Sequence, residues 1–125
     1  MTYLRFVTGQ AHPKTGQRAG LFSAAYRLQE SGALGAVEQA EIDELLAWFN
    51  DHLSRPARFG RARYPHGISW IRADARVQVQ RLYALAELLK RHDHVVEVIR
   101  TDKPGFIVYQ DEVQAVAEPF TDTIR

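Results

Sequence analysis

Apolar and polar positions alternate over residues 3–8, with Leu4 and Phe6 on one side and Tyr3, Arg5 and Val7 on the other, which predicts a β-strand. Residues 9–20 carry three glycines and Pro13 and read as a polar loop. From Leu21 the period lengthens. Leu21, Ala25 and Leu28, flanked by Phe22 and Tyr26, predict a helix that ends near Ser31-Gly32, where glycine suits a left-handed cap. After a connector over 33–36, residues 37–53 form a second amphipathic pattern. Ile42, Leu45, Leu46, Phe49 and Leu53 fall on one stripe, and Glu38, Glu41 and Glu44 on another, towards the end where the helix dipole favours negative charge.

Residues 54–67 show no period, and fourteen such residues exceed the usual connection of about 4–6. Ser69 then reads as the cap of a third and longest helix, with Ile71, Ala75, Val79, Leu82, Ala86 and Leu89 as its apolar stripe to about Arg91. The last third changes period again. Residues 95–100, 106–109 and 113–117 are short, rich in β-branched and aromatic side chains, and parted by Lys103-Pro104-Gly105 and Gln110-Asp111-Glu112. Two such turns predict an antiparallel meander, with Pro104 and Gly105 in a hairpin joining the strands of Ile99 and Ile107. Its final strand would place Val113, Ala115 and Ala117 on a packed face and Glu112, Gln114 and Glu118 on a partly wet one. The order βαααβββ predicts one two-layer α+β domain over residues 1–125, in which a small, mainly antiparallel sheet, with the first strand added to the meander, packs against three helices. Leu45, Phe49, Leu82, Leu89, Ile99 and Val108 are the expected core.

Composition supports a globular chain able to bury a core: 46% of its 125 residues are hydrophobic and 25% charged. It has no cysteine, which excludes disulfides, thiolate metal sites and thiol nucleophiles. No apolar run approaches a membrane span, and Arg5 interrupts the apolar start, so neither a membrane segment nor a signal peptide is expected and a cytoplasmic location is. Neither an internal repeat nor a low-complexity tract is present.

Several segments, namely Tyr3-Leu4-Arg5-Phe6, Gly20-Leu21-Phe22, Trp48-Phe49, Ile68-Ser69-Trp70, Pro104-Gly105-Phe106-Ile107-Val108-Tyr109, Asp111-Glu112 and Ala117-Glu118-Pro119-Phe120, span nearly the whole chain. Together they resemble a family of small uncharacterised bacterial proteins. The resemblance implies a free-standing bacterial domain and carries no activity, ligand or catalytic residue.

A net charge of +1 conceals a strong local asymmetry. Between Arg55 and Arg81 seven arginines face one acid, Asp74, a local +6, whereas Glu30 to Asp51 holds six acids and no base, a local −6. Arginine forks match carboxylate and phosphate, and Phe59, Tyr64 and Trp70 interleave with them. The expected contact surface is therefore Arg55, Arg58, Arg61, Arg63, Tyr64, His66 and Arg72. The competing account pairs the arginines with Glu38, Glu41 and Glu44. A weaker anion site is His12, Lys14 and Arg18, in the loop before the first helix, although Lys14-Thr15 precede the glycines that should precede them in a phosphate loop. His92-Asp93-His94 sits where a helix yields to a strand, and no further ligand stands at a diagnostic spacing, so no metal site and no cofactor is expected. His12, His66, Arg63 and Glu118 are the available parts for acid–base chemistry, and nothing in their spacing makes them converge. The resulting expectation is a non-catalytic binding or interaction protein with a protein partner or a second copy of itself; the alternative is a nucleic-acid or phosphate-ligand protein, up to a metal-independent nuclease.

Overall fold

The structure, a computed structural model, describes residues 1–53 and 66–125. Its elements are β1 (Tyr3–Thr8), β2 (Ala19–Gly20), α1 (Leu21–Glu30), α2 (Ala36–His52), β3 (Ile68–Arg72), α3 (Arg76–Arg91), β4 (Val96–Thr101), β5 (Phe106–Gln110) and β6 (Gln114–Glu118). The fold is α+β, and every strand pairing is antiparallel. Among the described residues no helix is long and apolar enough to cross a membrane.

The helices cover one face of the sheet with the stripes their sequences carry. Leu21, Ala25 and Leu28 of α1, Ile42, Leu45, Leu46 and Phe49 of α2, and Leu82, Leu85, Ala86, Leu88 and Leu89 of α3 form one core with Leu4, Phe6 and Ile71. Glu38 and Glu41 of α2 meet residues at the end of α3: Arg91 lies 3.6 Å from Glu38 and 3.3 Å from Glu41, and His92 Nε2 lies 2.9 Å from Glu38. The His92-Asp93-His94 triplet closes α3. Asp93 takes a left-handed φ of 66°, Asp93 N–H donates to Lys90 O and His94 N–H to Leu89 O, which satisfies the last helical carbonyls.

Ile68–Arg72, expected to open the third helix, is instead a strand. Ser69 caps nothing; α3 begins seven residues later, at Arg76. Ile71 and Ala75 have helical spacing, yet this strand buries Ile68 and Trp70 on one side and Ile71 on the other.

The meander is also different. β4 pairs with β1 along its length, from Tyr3 opposite Thr101 to Thr8 opposite Val96. β5 pairs with β6, and β6 with β3, so the strands run β4-β1-β3-β6-β5, with β2 beside the far end of β1. Pro104 and Gly105 therefore join the two sheet edges and form no hairpin between neighbours. In a flat sheet those edges would stand about 19 Å apart, four strand spacings. The link from Thr101 to Phe106 reaches at most about 18 Å even if fully stretched. The sheet accordingly curls, and Ile99 of β4 and Ile107 of β5 share a second core with Tyr3, Val7, Ile68, Trp70, Ala115 and Ala117 on the concave face. Curling covers both faces of β6, so Gln114 and Val116, opposite Ile71 and Ser69, are buried as well as the alanines. Of the expected core, Leu45, Phe49, Leu82, Leu89 and Ile99 are buried. Val108 is half-buried at an irregularity in the β5–β6 pairing.

Asp111 holds the β5–β6 turn. Its carboxylate accepts from Val113 N–H (2.8 Å), Gln114 N–H (2.9 Å), Tyr109 O–H (2.8 Å) and Gln114 Nε2 (3.2 Å). Partial burial opposes ionisation, but these donors outweigh it and hold the carboxyl below its ordinary range. A depressed folded-state pKa gives stability that is present above the unfolded value, about 3.9, and is lost as pH falls through the folded one. Asp111→Asn, which removes two of the acceptor positions, is expected to cost about 1–3 kcal/mol near neutral pH and to flatten the acid limb of the stability–pH curve. Urea unfolding as a function of pH checks both; an unaltered acid limb would remove the carboxylate from the account of the turn.

Candidate functional site

β1 and β3 touch only at Tyr3 opposite Arg72 and Leu4 opposite Ile71. Beyond that point they part. The edge of β1 is taken up again by β2, at Val7 opposite Gly20 and Thr8 opposite Ala19, while β3 continues beside β6. Among the described residues Arg5 and Phe6 therefore border an opening within the sheet, and a cleft of about 610 Å³, lined mainly by residues on the side that carries the helices, lies there.

Its wall is aromatic and fixed by ring contacts. Phe22 of α1 meets Phe49 of α2 edge to face at 5.1 Å, and Trp48 meets Phe49 at 5.1 Å and 86°. Behind them the His52 ring stacks on Trp48 at 4.4 Å, and the Arg81 guanidinium lies 4.7 Å from the Trp48 ring. Leu21, Leu53, Ile71 and Leu82 add aliphatic surface, and Gln17, Tyr26, Ser69 and Gln114 supply polar atoms. Leu53 and Gly67 line the cleft on either side of the twelve residues 54–65.

Arg5 is the one charged residue among the described residues of the lining, and on β1 it shares the face of Tyr3 and Val7, opposite Leu4 and Phe6. Its side chain is only 7% exposed in total, in the middle of a strand whose other residues are all buried. Nη2 donates to the carbonyl of Arg18 at 2.6 Å, whereas Nη1 is buried with no hydrogen-bond acceptor among the described residues. Burial, and then the charge of Arg18, push the guanidinium below its ordinary pKa. Arg18 has its own counter-ion, Glu97 of β4, at 2.8 Å. Sequence reading put Arg5 on a strand face without giving it a role; the available signal was a lone charge between Leu4 and Phe6 in an otherwise apolar strand.

The residues expected to form a contact surface are placed as follows. Arg55, Arg58, Arg61, Arg63 and Tyr64 lie outside the described residues. His66 is exposed just before β3, and Arg72 ends that strand, about 20 Å further along an extended chain. Arg72 forms a two-pronged pair with Asp74, Nε to Oδ1 at 3.1 Å and Nη2 to Oδ2 at 2.9 Å. That hydrogen-bonded pair raises the Arg72 pKa and lowers that of Asp74. In the loop before β2, His12 Nδ1 accepts from Lys14 N–H at 3.1 Å, and backbone bonds from His12 N–H to Gln17 O and from Gly16 N–H to His12 O close the turn. Lys14 thus belongs to a self-contained exposed turn, and Arg18 is directed to Glu97.

His12, His66 and Glu118 come to the same end of the sheet, because β1 and β6 finish where β3 begins. Among the described residues no hydrogen bond or ion pair joins any two of them, and none lines the cleft. No group of three histidine, aspartate or glutamate side chains suited to a metal ion occurs among the described residues. No family model, curated protein or solved structure matches the chain.

Proposed function

We propose that the protein is a non-catalytic binding protein that receives an apolar group in the cleft between β1 and β3. The observation that carries this reading is the parting of two strands over an aromatic wall. A sheet gives up ladder hydrogen bonds where neighbouring strands separate, and here the separation creates a concave space of about 610 Å³. That volume falls in the range of small-molecule sites, which are mostly apolar with a few placed polar groups. The ring contacts from Phe22 to Trp48 hold the wall in place, so little side-chain freedom is lost when a ligand enters. The separation of His12, His66 and Glu118 from the cleft supports binding over turnover.

Octanol serves as the probe, followed through backbone amide chemical shifts. Saturable changes are expected at residues around Phe22, Phe49, Leu53 and Ile71. Ser69 is an exposed residue on the lining, so Ser69→Phe should narrow the opening and weaken octanol by about tenfold or more without lowering the unfolding midpoint. Changes scattered over the whole surface, or none that saturate, would overturn the proposal.

A further inference from the structure

We infer that the concave face of the sheet holds a small monovalent anion at the seam between β1 and β3, bound by the N–H groups of Arg5 and Trp70. This site lies on the face of the sheet away from the helices and does not rest on ligand binding in the cleft. Arg5 and Trp70 are the first residues past the last paired position of the two strands, Leu4 opposite Ile71. Arg5 stands opposite Ile99 of β4 and Trp70 opposite Ala115 of β6, and Trp70, Ile99 and Ala115 all belong to the concave core. The pleat therefore brings the two side chains to one face, on neighbouring strands, where those strands begin to part. Each ends in a buried nitrogen, Arg5 Nη1 and Trp70 Nε1, that meets no hydrogen-bond acceptor among the described residues. Among those residues no other buried side-chain nitrogen or oxygen is left so, and these two fall at adjacent positions.

A guanidinium and an indole N–H are donors only, so whatever meets them must accept. Water would complete the hydrogen bonds but leave a cation in apolar surroundings, whereas an anion answers both needs. The Arg18 carbonyl, which accepts from Nη2, carries no charge, and Glu97 is engaged by Arg18 at 2.8 Å. Residues 54–65 contain no aspartate or glutamate and so offer no counter-ion. Burial and the charge of Arg18 both work against the guanidinium, a penalty that a bound anion relieves. Tyr3, Val7 and Ile68 are buried on the same face, which limits the ion to a few atoms, such as chloride or formate.

Thermal unfolding of the full chain near neutral pH, at one ionic strength in sodium gluconate, chloride or formate, tests this. An ion that binds only the folded state raises the midpoint. Replacing gluconate, too bulky for this enclosed face, by about 0.2 M chloride or formate is expected to raise it by about 3 °C or more. Arg5→Gln should abolish that rise. Trp70→Phe loses only the volume of the indole in gluconate, and in chloride or formate it should show about half the rise or less. If Arg5→Gln does not fold, the Trp48→Phe variant decides, because Trp70 is then the single indole: bromide should quench its fluorescence saturably and chloride should relieve the quenching. Equal midpoints in the three salts, the result if water meets Nη1, would overturn the inference. So would an undiminished rise in Arg5→Gln, or bromide quenching that neither saturates nor yields to chloride.

Discussion

Trp70→Ala is expected to cost about 3–5 kcal/mol, the largest loss from any single truncation on the concave face. The indole is fully buried and stands opposite Ala115, with Ala117 on the same strand face. Its bulk therefore fills the space that two small residues leave. The surrounding walls are strand backbones joined to their neighbours, so the resulting void collapses poorly, which places the cost in the upper part of the range for aromatic deletions. The indole Nε1 has no acceptor within the described residues, so Trp70→Phe forfeits volume without a hydrogen bond and should cost less than half as much. Denaturant unfolding with matched slopes provides the comparison. A Trp70→Ala midpoint equal to that of the unaltered chain would mean that the curled face is not a packed core.

Gly105→Val should destabilise by more than about 3 kcal/mol, since a positive backbone angle and a collision with main chain act together. Gly105 has φ 126°, and a Cβ there would run into the carbonyl of Glu118 and come within 2.9 Å of Pro119 Cα. Neither obstacle is a side chain that could swing aside. Gly9 is the matching control: its φ is 70°, but a Cβ would meet nothing within 4 Å. Gly9→Ala is therefore expected to cost only about 1 kcal/mol. Similar thermal midpoints for the two variants would show that close approach to β6 contributes nothing.

α1 and α2 announce themselves because local periodicity marks one buried stripe, and β1, although buried on both faces, because it is short and rich in β-prone residues; their observed bounds agree with the expectation to within a residue or two. The errors share a cause. Gln114–Glu118 is covered on both faces, and Ile68–Arg72 buries Ile71 on the face of exposed Ser69 as well as Ile68 and Trp70 on the other, which blurs the alternation that identifies a strand and its orientation. The chemistry of the Pro104-Gly105 bend was legible, including its need for a positive angle, but its partners were not. Whether a turn joins neighbours or edges depends on pairings such as Arg5 opposite Ile99, far apart in sequence. The cleft was hidden for the same reason. It arises from where β1 and β3 stop pairing, and the isolation of Arg5 Nη1 becomes visible only when the groups around it are assembled.

β1 receives β2 on the side it shares with β3 and is completed on the opposite side by β4. During synthesis its first partner, β2, offers two residues, and the next is β3, across the whole of α1 and α2. The longest ladder, with β4, cannot form until Thr101 has been made. Leu4, Phe6 and Val7 thus emerge well before the partners that enclose them. Closing such long loops before their contacts reward it slows folding. β1 consequently waits long for its partners, and its solitary arginine interrupts what would otherwise be an uncharged run prone to pairing with other nascent chains.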